Sequence, residues 1–250
     1  MARLTFPIFI PLWETTSSVA IMKMLAEQAE INVERAIKEA NLPGSVKEGR
    51  YLDEVTNECG ENYHFEQIYY SCGSCIGHDY DEVKSEYIHL ITQLTRRSAF
   101  LTIFGLFEER MGKCLNLMAK LSGYTYEKKK KLGVIEKAHF VLKNIVGGGD
   151  ISDVEHLTII RNIMAHCDGV AHDYKYISVS NEKMTERQNR LLRAIRRAED
   201  EHSGISVSYF NDVLMDERFL MYTVGEIQRY VDSLETAVQT YCKTKSESPL

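Results

Sequence analysis

Residues 81–121 read DEVKSEYIHLITQLTRRSAFLTIFGLFEERMGKCLNLMAKL, and this stretch decides the fold class. It contains no proline, and its only glycines are Gly105 and Gly112. Apolar side chains recur along it at heptad-like spacing, which is typical of a helix that buries one face. The residues of this seam are Leu90, Leu94, Leu101, Phe104, Met111, Leu115 and Met118. The spacing predicts one helix from about Asp81 to Leu121, long enough to span a whole domain.

On both sides of this helix, apolar and charged residues at three- and four-residue spacing predict further helices, and no βαβ alternation is present. The expected elements are a helix from Ser17 or Ser18 to Asn41, a third helix opened by Lys128–Lys131 and stopped by Gly147–Gly149, a fourth capped by Asp150 or Ser152 and ending near Cys167–Gly169, a basic helix at Thr185–Ala198, a short strand at Ile205–Tyr209, and a terminal helix from Phe210 or Asp216 to Tyr241. The expected fold is all-α, an up-and-down helical bundle with one short β element.

Residues 45–79 interrupt this helical pattern. They are rich in Tyr, Cys, Gly and Asn, and we expect a partly irregular insertion with a short helix at about Phe65–Ser71. The simplest organisation is one helical domain at residues 81–245, against which residues 1–80 pack as an N-terminal tail, a helix and the insertion.

Charge and cysteine content restrict the function classes. Among 250 residues, 30 are Lys or Arg and 36 are Asp or Glu, so the formal net charge is -6. This balance argues against a surface that coats nucleic acid broadly, but it allows a local basic groove. Six unevenly placed cysteines favour a reducing compartment over a disulfide-stapled module. Prolines break the apolar N-terminal run, and no apolar run reaches a membrane span, so we expect a cytoplasmic protein with no membrane partner.

The segment Ile159–Gly169, IIRNIMAHCDG, carries the main chemical signal and ends the fourth predicted helix. At about 100° per residue, apolar and polar side chains fall on opposite arcs of this helix. The apolar arc holds Leu157, Ile159, Ile160, Ile163 and Met164, and the polar arc holds Glu155, Thr158, Arg161, Asn162 and His166. Because the polar arc is contiguous, it can face a groove or a partner.

The six residues from Arg161 to His166 resemble the Arg-x4-His motif of HEPN domains, in which a polar residue, often Asn, follows the Arg. The resemblance covers about Asp81–Tyr241, including the step Leu106-Phe107-Glu108 and the closing strand and helix. It implies a helical bundle, a homodimer in which two motifs form one cleft, and metal-independent endoribonuclease activity of a toxin, antiphage or RNA-processing kind. It also implies RNA as substrate, no cofactor, and an antitoxin or defence-system protein as a candidate partner.

A second Arg-x4-His pattern runs from Arg197 to His202. It lies in an acidic stretch, lacks the Asn and has no apolar face, so we interpret it as a chance match. The alternative for Arg161 and His166 themselves is an exposed polar helix face, with the terminal His interacting with the last carbonyl groups.

The residue types suit RNA cleavage without a metal. Such cleavage removes a proton from the 2′-hydroxyl, stabilises charge on phosphate oxygens and protonates the leaving 5′-oxygen. We assign His166 as general acid or base and Arg161 as phosphate clamp, because imidazole titrates near neutral pH and guanidinium offers parallel donors. Asn162 stands four residues before His166, where it can orient the imidazole or hold a phosphate oxygen. The expected products carry a 2′,3′-cyclic phosphate and a 5′-hydroxyl.

Two charged residues, Arg97 and Glu108, lie on the apolar seam of the long helix. A charge at such a position should be paired or functional, because an unpaired buried charge is strongly disfavoured. HEPN domains often carry an acidic residue where Glu108 stands, and the resemblance therefore pairs Glu108 with Arg161. The alternative is that both side chains reach water at a local irregularity.

The segment Cys72–His78 has three interpretations. Cys72, Cys75 and His78, with Cys59 and His64 upstream, are candidates for a zinc site. A redox Cys-x2-Cys is a second interpretation, but the βαβ setting of that motif is absent. We favour the third, two free and partly buried thiols with no metal, because no second pair of ligands stands at clean spacing.

Two basic clusters are candidates for contacts with RNA phosphates. The residues singled out are Lys128, Lys129 and Lys130, followed by Lys131, and Arg190 and Arg193 on the helix that also carries Arg187, Arg196 and Arg197. Interspersed acidic residues favour the alternative of a solvated helix face.

The sequence therefore predicts an endoribonuclease that acts at a dimer cleft. One alternative is a catalytically inactive HEPN-like module that binds a nucleotide or a protein partner, and another is a helical scaffold unrelated to that family. Glycine-rich phosphate loops, Gly-x-Ser-x-Gly and His-Glu-x2-His are absent, which leaves NTPase, hydrolase and metalloprotease functions without support.

Overall fold

The structure, a computed structural model, describes residues 9–56, 60, 62–125, 132–179 and 183–247. As expected, this part of the chain is mostly helical. It also contains a three-stranded and a two-stranded antiparallel sheet, where the sequence predicted one short β element. The helices are α1 (Ile10–Ala40), α2 (Tyr80–Ser122), α3 (Val134–Val141, continued by a π-helical turn at Leu142–Val146), α4 (Glu155–His166), α5 (Tyr174–Val179), α6 (Glu186–Asp200) and α7 (Phe219–Glu247). The strands are β1 (Lys47–Thr56), β2 (Asn62–Cys72), β3 (Cys75–Gly77), β4 (Ile205–Val207) and β5 (Val213–Met215).

The long helix α2 has the predicted bounds to within one residue, but its buried face differs from the predicted seam. At the N-terminal end of that seam, Leu90 and Leu94 are exposed. The side chains buried instead towards the middle of the helix are Phe100, Ile103 and Phe107. A strict seven-residue repeat drifts by about 20° per heptad around a straight helix of 3.6 residues per turn. A heptad seam that faces the core at the C-terminal end of α2 therefore faces water several heptads closer to its N-terminus.

The chain divides into two compact units. One comprises the residues up to Glu27 together with those from Arg97 onward, and the other comprises Gln28–Arg96. Helices α1 and α2 contribute residues to both units. The division at residue 80 into an N-terminal segment and a HEPN-like domain stays a prediction.

In the larger unit, aromatic side chains fix α7 against α2. Phe100 meets Phe219 with ring centroids 5.0 Å apart, and Phe107 meets Tyr230 at 6.1 Å, both edge to face. All four residues are fully buried, and each ring of this kind removes about 150–250 Å² from water. The helix that carries Glu108 is thus anchored in the core.

The smaller unit contains a long β-hairpin where we expected an irregular insertion. Strands β1 and β2 pair along their whole length, and β3 adds a short third strand. The short helix predicted at Phe65–Ser71 is wrong, because this stretch lies within β2, where its aromatic residues suit an extended chain. Gly49 of β1 lies beneath the ring of Tyr69, which a Cβ atom would overlap.

Several helix boundaries differ from those predicted. Helix α1 begins earlier, at Ile10, because a proline such as Pro11 is tolerated in the first turn. Neither Asp150 nor Ser152 caps α4. Asp153 Oδ1 instead accepts a hydrogen bond from the N–H of Glu155, the first residue of α4, over 3.0 Å.

Towards the C-terminus, the basic helix predicted at Thr185–Ala198 is present as α6, and Thr185 caps it by accepting a hydrogen bond from the Gln188 N–H. Strand β4 is also present, although it ends before Tyr209. We did not predict its partner β5, which delays the start of α7 to Phe219. Helix α5 was not predicted either.

The glycine stop after α3 is confirmed, since Gly147 takes the left-handed conformation with φ of 101° at the end of the π-helical turn. The run Lys128–Lys131, expected to open α3, lies outside the described residues. Within the described ranges, no helix has the length and apolar character required to cross a bilayer. The HEPN-like arrangement of the helices stays a prediction.

Candidate functional site

Helix α4 presents its apolar side to the core and its motif residues to the outside. Ile160, Ile163 and Met164 are buried, whereas Asn162 and His166 are exposed. This follows the predicted division of the helix into two arcs. The side chain of Arg161 lies between the two environments and is 29% exposed.

The guanidinium of Arg161 is held on two sides. Its Nη2 donates to Glu108 Oε2 on α2 over 2.8 Å, and its Nη1 donates to Asn162 Oδ1 over 2.9 Å. The expected pairing of Glu108 with Arg161 is therefore present. Asn162 binds Arg161 in this structure, and no hydrogen bond joins it to His166 within the described residues. The pair of contacts fixes the direction of the guanidinium and leaves three of its five N–H donors for a ligand.

Arg97 holds the C-terminal end of the same helix. Its Nε and Nη2 donate to the carbonyl oxygen of Met164 over 3.0 and 2.5 Å, and its Nη1 pairs with Asp168 Oδ1 at 2.8 Å. The last carbonyl groups of a helix have no partner within the helix, and they carry partial negative charge. A guanidinium is therefore well suited to this position. Arg97, one of the two charged residues on the apolar seam, is paired, as expected. It fixes the end of α4 that carries His166.

His166 is the last residue of α4, and its side chain is exposed. The chain then turns through Asp168 and Gly169, with φ of 52° and 81°. Gly169 has its carbonyl oxygen bound by the N–H of Val213 on β5 over 2.9 Å. The end of the motif helix is thus tied both to α2, through Arg97, and to the β4–β5 hairpin.

Two of the residues proposed to bind RNA, Arg190 and Arg193, have different surroundings on α6. Arg190 is engaged in two ion pairs, with Glu136 Oε1 of α3 at 2.5 Å and with Glu155 Oε1 of α4 at 2.6 Å. Arg193 is exposed and forms no ion pair with the described residues. Lys128, Lys129 and Lys130 lie outside the described residues. Arg190 therefore connects three helices, and Arg193 remains available to a phosphate.

A second polar cluster, which the sequence did not predict, lies in the core of the larger unit at the start of α4. The His156 ring is 1% exposed, and its Nε2 lies 2.9 Å from the hydroxyl oxygen of Tyr222. The Tyr222 hydroxyl donates to Glu201. Because a hydroxyl has one proton to donate, His156 must donate from Nε2, which leaves its buried Nδ1 without a partner. Burial, followed by the charge of Arg197, lowers the pKa of His156 to about 4.

Arg197 connects the remaining members of this cluster. It donates to Glu201 Oε1 over 2.8 Å, to Asp153 Oδ1 over 3.2 Å and to Glu226 Oε2 over 3.2 Å. Arg229 also donates to both oxygens of Glu226, over 2.9 and 2.7 Å. The second Arg-x4-His pattern is thus not a second copy of the site, because its arginine is bound in this network. His156 precedes Ile160 and Ile163 by four and seven residues, so it lies on the apolar side of α4. This spacing is the sequence signal that could have indicated a buried histidine.

The same cluster contains the one set of potential metal ligands found in the described part of the chain. Ligand atoms of His156, Glu201 and Glu226 lie within 4.8 Å of one another. However, Tyr222 already bonds both His156 and Glu201, while two arginines neutralise the carboxylates. We interpret the cluster as a structural network that joins α4, α6 and α7.

The cysteines of the smaller unit pack as hydrophobic side chains. Cys72 and Cys75 face each other across a two-residue turn and are buried with Val46 and Val83. Burial raises the pKa of the Cys75 thiol. They form no close group with His78 or His64 in the described ranges. Cys59 lies outside those ranges, so the zinc set weighed as an alternative is not assembled among the described residues.

No protein-family model, curated protein or solved structure matches this chain.

Proposed function

We propose that this protein is a metal-independent endoribonuclease that acts in the cytoplasm at a cleft formed by two copies of the chain. The observation that carries the proposal is the arrangement on α4. Arg161 is oriented by Glu108 and Asn162, and the exposed His166 follows five residues later on the same helix. The resemblance of this motif to HEPN domains supplies the reaction class.

In the proposed reaction, the 2′-oxygen of a ribose attacks the adjacent phosphorus while the bond from phosphorus to the 5′-oxygen breaks. One histidine accepts the proton of the 2′-hydroxyl, and a second proton is delivered to the leaving 5′-oxygen. The free donors of Arg161 stabilise the charge that develops on the phosphate oxygens. The products carry a 2′,3′-cyclic phosphate and a 5′-hydroxyl.

A dimer accounts for the two proton transfers. The attacking and leaving oxygens lie on opposite sides of the phosphorus, and the motif of one chain supplies one histidine. A second copy of α4 facing the first would supply the other His166 and a second Arg161. The exposed polar side of α4 is the surface that such a pairing requires.

The test compares the wild-type chain with His166→Ala and Arg161→Ala during expression in a bacterial host, with RNA ends mapped for cyclic phosphate. The matched control is His172→Ala, which removes an exposed histidine outside the motif. We expect growth arrest and new cyclic-phosphate ends with the wild type and the control. Both motif variants should lower the cleavage rate of the purified protein by about 100-fold or more.

Harmless wild-type protein, or equal growth arrest by all variants, would contradict the nuclease assignment. The inactive HEPN-like module that binds a nucleotide or a protein such as an antitoxin would then be the better proposal. Sedimentation of the purified full-length chain tests the dimer separately, because a monomer at micromolar concentration contradicts a shared cleft.

A further inference from the structure

Two adjacent aromatic side chains are exposed at the tip of the β4–β5 hairpin. Tyr209 is 86% exposed and Phe210 is 76% exposed, more than any other Phe, Tyr or Trp side chain in the described residues. Their ring centroids are 5.5 Å apart, and the rings meet edge to face. Much of the surface of both rings therefore lies open to water.

The loop that carries these rings is tightly constrained. Ser208 Oγ donates to Asp212 Oδ2 over 2.8 Å and accepts from the N–H groups of Phe210 and Asp212 over 3.1 and 3.0 Å. Asn211 takes a left-handed conformation with φ of 70°, and its carbonyl oxygen accepts from the Ala171 N–H over 2.8 Å. The rings are thus presented by a fixed backbone, which lowers the entropy cost of binding a ligand.

The tip is joined to the end of the motif helix. Val170 forms a β-bridge with Asp212, next to the hydrogen bond between Gly169 and Val213. Three Cα–Cα steps lead from His166 to Gly169, and three lead from Val213 to Phe210. At 3.8 Å per residue and about 5 Å across the bridge, the Cα atoms of His166 and Phe210 are less than about 30 Å apart. A short single strand spans such a distance.

We propose that Tyr209 and Phe210 form a stacking platform for unpaired bases of the RNA strand whose phosphate reaches Arg161. This inference rests on the proposed function, which it extends by specifying single-stranded RNA. Aromatic rings beside cationic side chains are the usual surface for an unpaired strand. Here Lys175 supplies the cation, since its side chain is exposed and its backbone N–H donates to Asn211 Oδ1 over 2.9 Å. Tyr176, 59% exposed, follows it directly.

The size of the exposed aromatic surface favours a base over a protein partner. Two aromatic side chains bury about 300–500 Å² at most, whereas a stable protein interface buries about 800 Å² per partner. The neighbours of the rings within the loop are Ser208, Asn211 and Asp212, which are polar. A protein contact is the competing explanation, and the experiment distinguishes it.

The experiment measures RNA binding without cleavage, in full-length protein carrying His166→Ala. The probe is a fluorescein-labelled single-stranded RNA of about 12 nucleotides and random sequence, followed by fluorescence anisotropy. We expect Tyr209→Ala and Phe210→Ala each to weaken binding about 30-fold, the middle of the range for one stacked base. Tyr209→Phe and Phe210→Tyr keep the rings and should bind normally. Trp13→Ala, which removes an exposed ring elsewhere, is the matched control.

A direct readout replaces the single tryptophan of the chain, Trp13, and introduces a new tryptophan at the tip. In protein carrying Trp13→Phe and Phe210→Trp, the only indole stands at the tip, and stacking of a base should quench its fluorescence as RNA is added. Quenching that saturates with the anisotropy signal supports the platform. Unchanged fluorescence at saturating RNA overturns it.

The outcomes separate this inference from the proposed function. Normal RNA binding by both alanine variants, with cleavage by the wild type intact, overturns the platform alone. Absence of both RNA binding and cleavage overturns the proposed function as well. If the alanine variants change the sedimentation of the protein but not its affinity for RNA, the tip contacts a protein and the platform is wrong.

Discussion

Arg161 on α4 donates from Nη2 to Glu108 Oε2 on α2 over 2.8 Å, although 53 positions separate the two residues in the chain. Both side chains are about one-third exposed, at 29% and 32%, so water screens the pair and its contribution to stability is about 1 kcal/mol or less. Its larger effect is to fix the direction of the guanidinium.

Replacing Glu108 should therefore change catalysis more than stability. We expect Glu108→Gln to lower the kcat of RNA cleavage by about tenfold, because the neutral amide holds Arg161 less firmly. KM should stay equal or fall, because the phosphate no longer competes with a carboxylate. Steady-state cleavage assays and urea unfolding of the same preparations provide the measurement. Unchanged kcat in a folded Glu108→Gln protein would show that Glu108 does not position Arg161.

Loss of Arg97 should destabilise the end of the motif helix. Arg97→Ala leaves the Met164 carbonyl oxygen without its two donors, and we expect the free energy of unfolding to fall by about 1–3 kcal/mol. Arg97→Lys, which has no planar fork, should recover only part of this loss. Chemical denaturation measures both. Arg193→Ala is the control, because this exposed arginine forms no ion pair with the described residues. If Arg193→Ala lowers the free energy of unfolding as much as Arg97→Ala does, the loss is not due to the Met164 contacts.

Stability should depend on pH through His156. Its pKa is about 4 in the folded protein and 6.5 as a free side chain, so the unfolded chain binds the proton more readily. The neutral ring contributes its full stabilisation above pH 6.5, and this contribution is lost as the pH falls towards 4. The total is on the order of 3 kcal/mol.

His156→Gln tests this, because the amide can donate to Tyr222 but does not titrate. Between pH 6.5 and 4, the variant should lose less stability than the wild type, as measured by urea unfolding at several pH values. His172→Gln, at an exposed position, should show the same change in the free energy of unfolding with pH as the wild type. The carboxylates of Asp153, Glu201 and Glu226 face the same ring, so the comparison stops at pH 4. If the free energy of unfolding changes equally with pH in His156→Gln and in the wild type, His156 is not the source of the pH dependence.

The two arginines of α6 should have different functions. Arg190→Ala should reduce stability by about 1 kcal/mol, because it breaks partly exposed ion pairs to Glu136 and Glu155. Arg193→Ala should leave stability unchanged but weaken RNA binding. It should also reduce the slope of the logarithm of affinity against the logarithm of salt concentration by about one. Anisotropy titrations at several salt concentrations, in the His166→Ala background, measure this slope. An unchanged slope would exclude Arg193 from phosphate contact.

Local sequence patterns were sufficient for much of the helical structure. The α2 bounds, the two arcs of α4, the presence of α6 and the glycine stop after α3 depend on side-chain periodicity and on backbone groups within a few residues. Such signals are contained in the sequence, because a helix satisfies its hydrogen bonds locally. The sequence also indicated that Arg97 and Glu108 need partners, since charged residues on an apolar seam are costly when unpaired.

The identity of most partners depended on tertiary structure. The hairpin at Lys47–Cys72 forms by pairing between strands, and neither strand carries a decisive pattern alone. The contact between Arg97 and the Met164 carbonyl oxygen, and the bonds from His156 to Tyr222 and from Tyr222 to Glu201, join residues that are distant in the chain. The sequence determined most of the helices and which charges require compensation. The tertiary structure decided which groups compensate them, because long-range contacts depend on how the helices pack and not on local spacing.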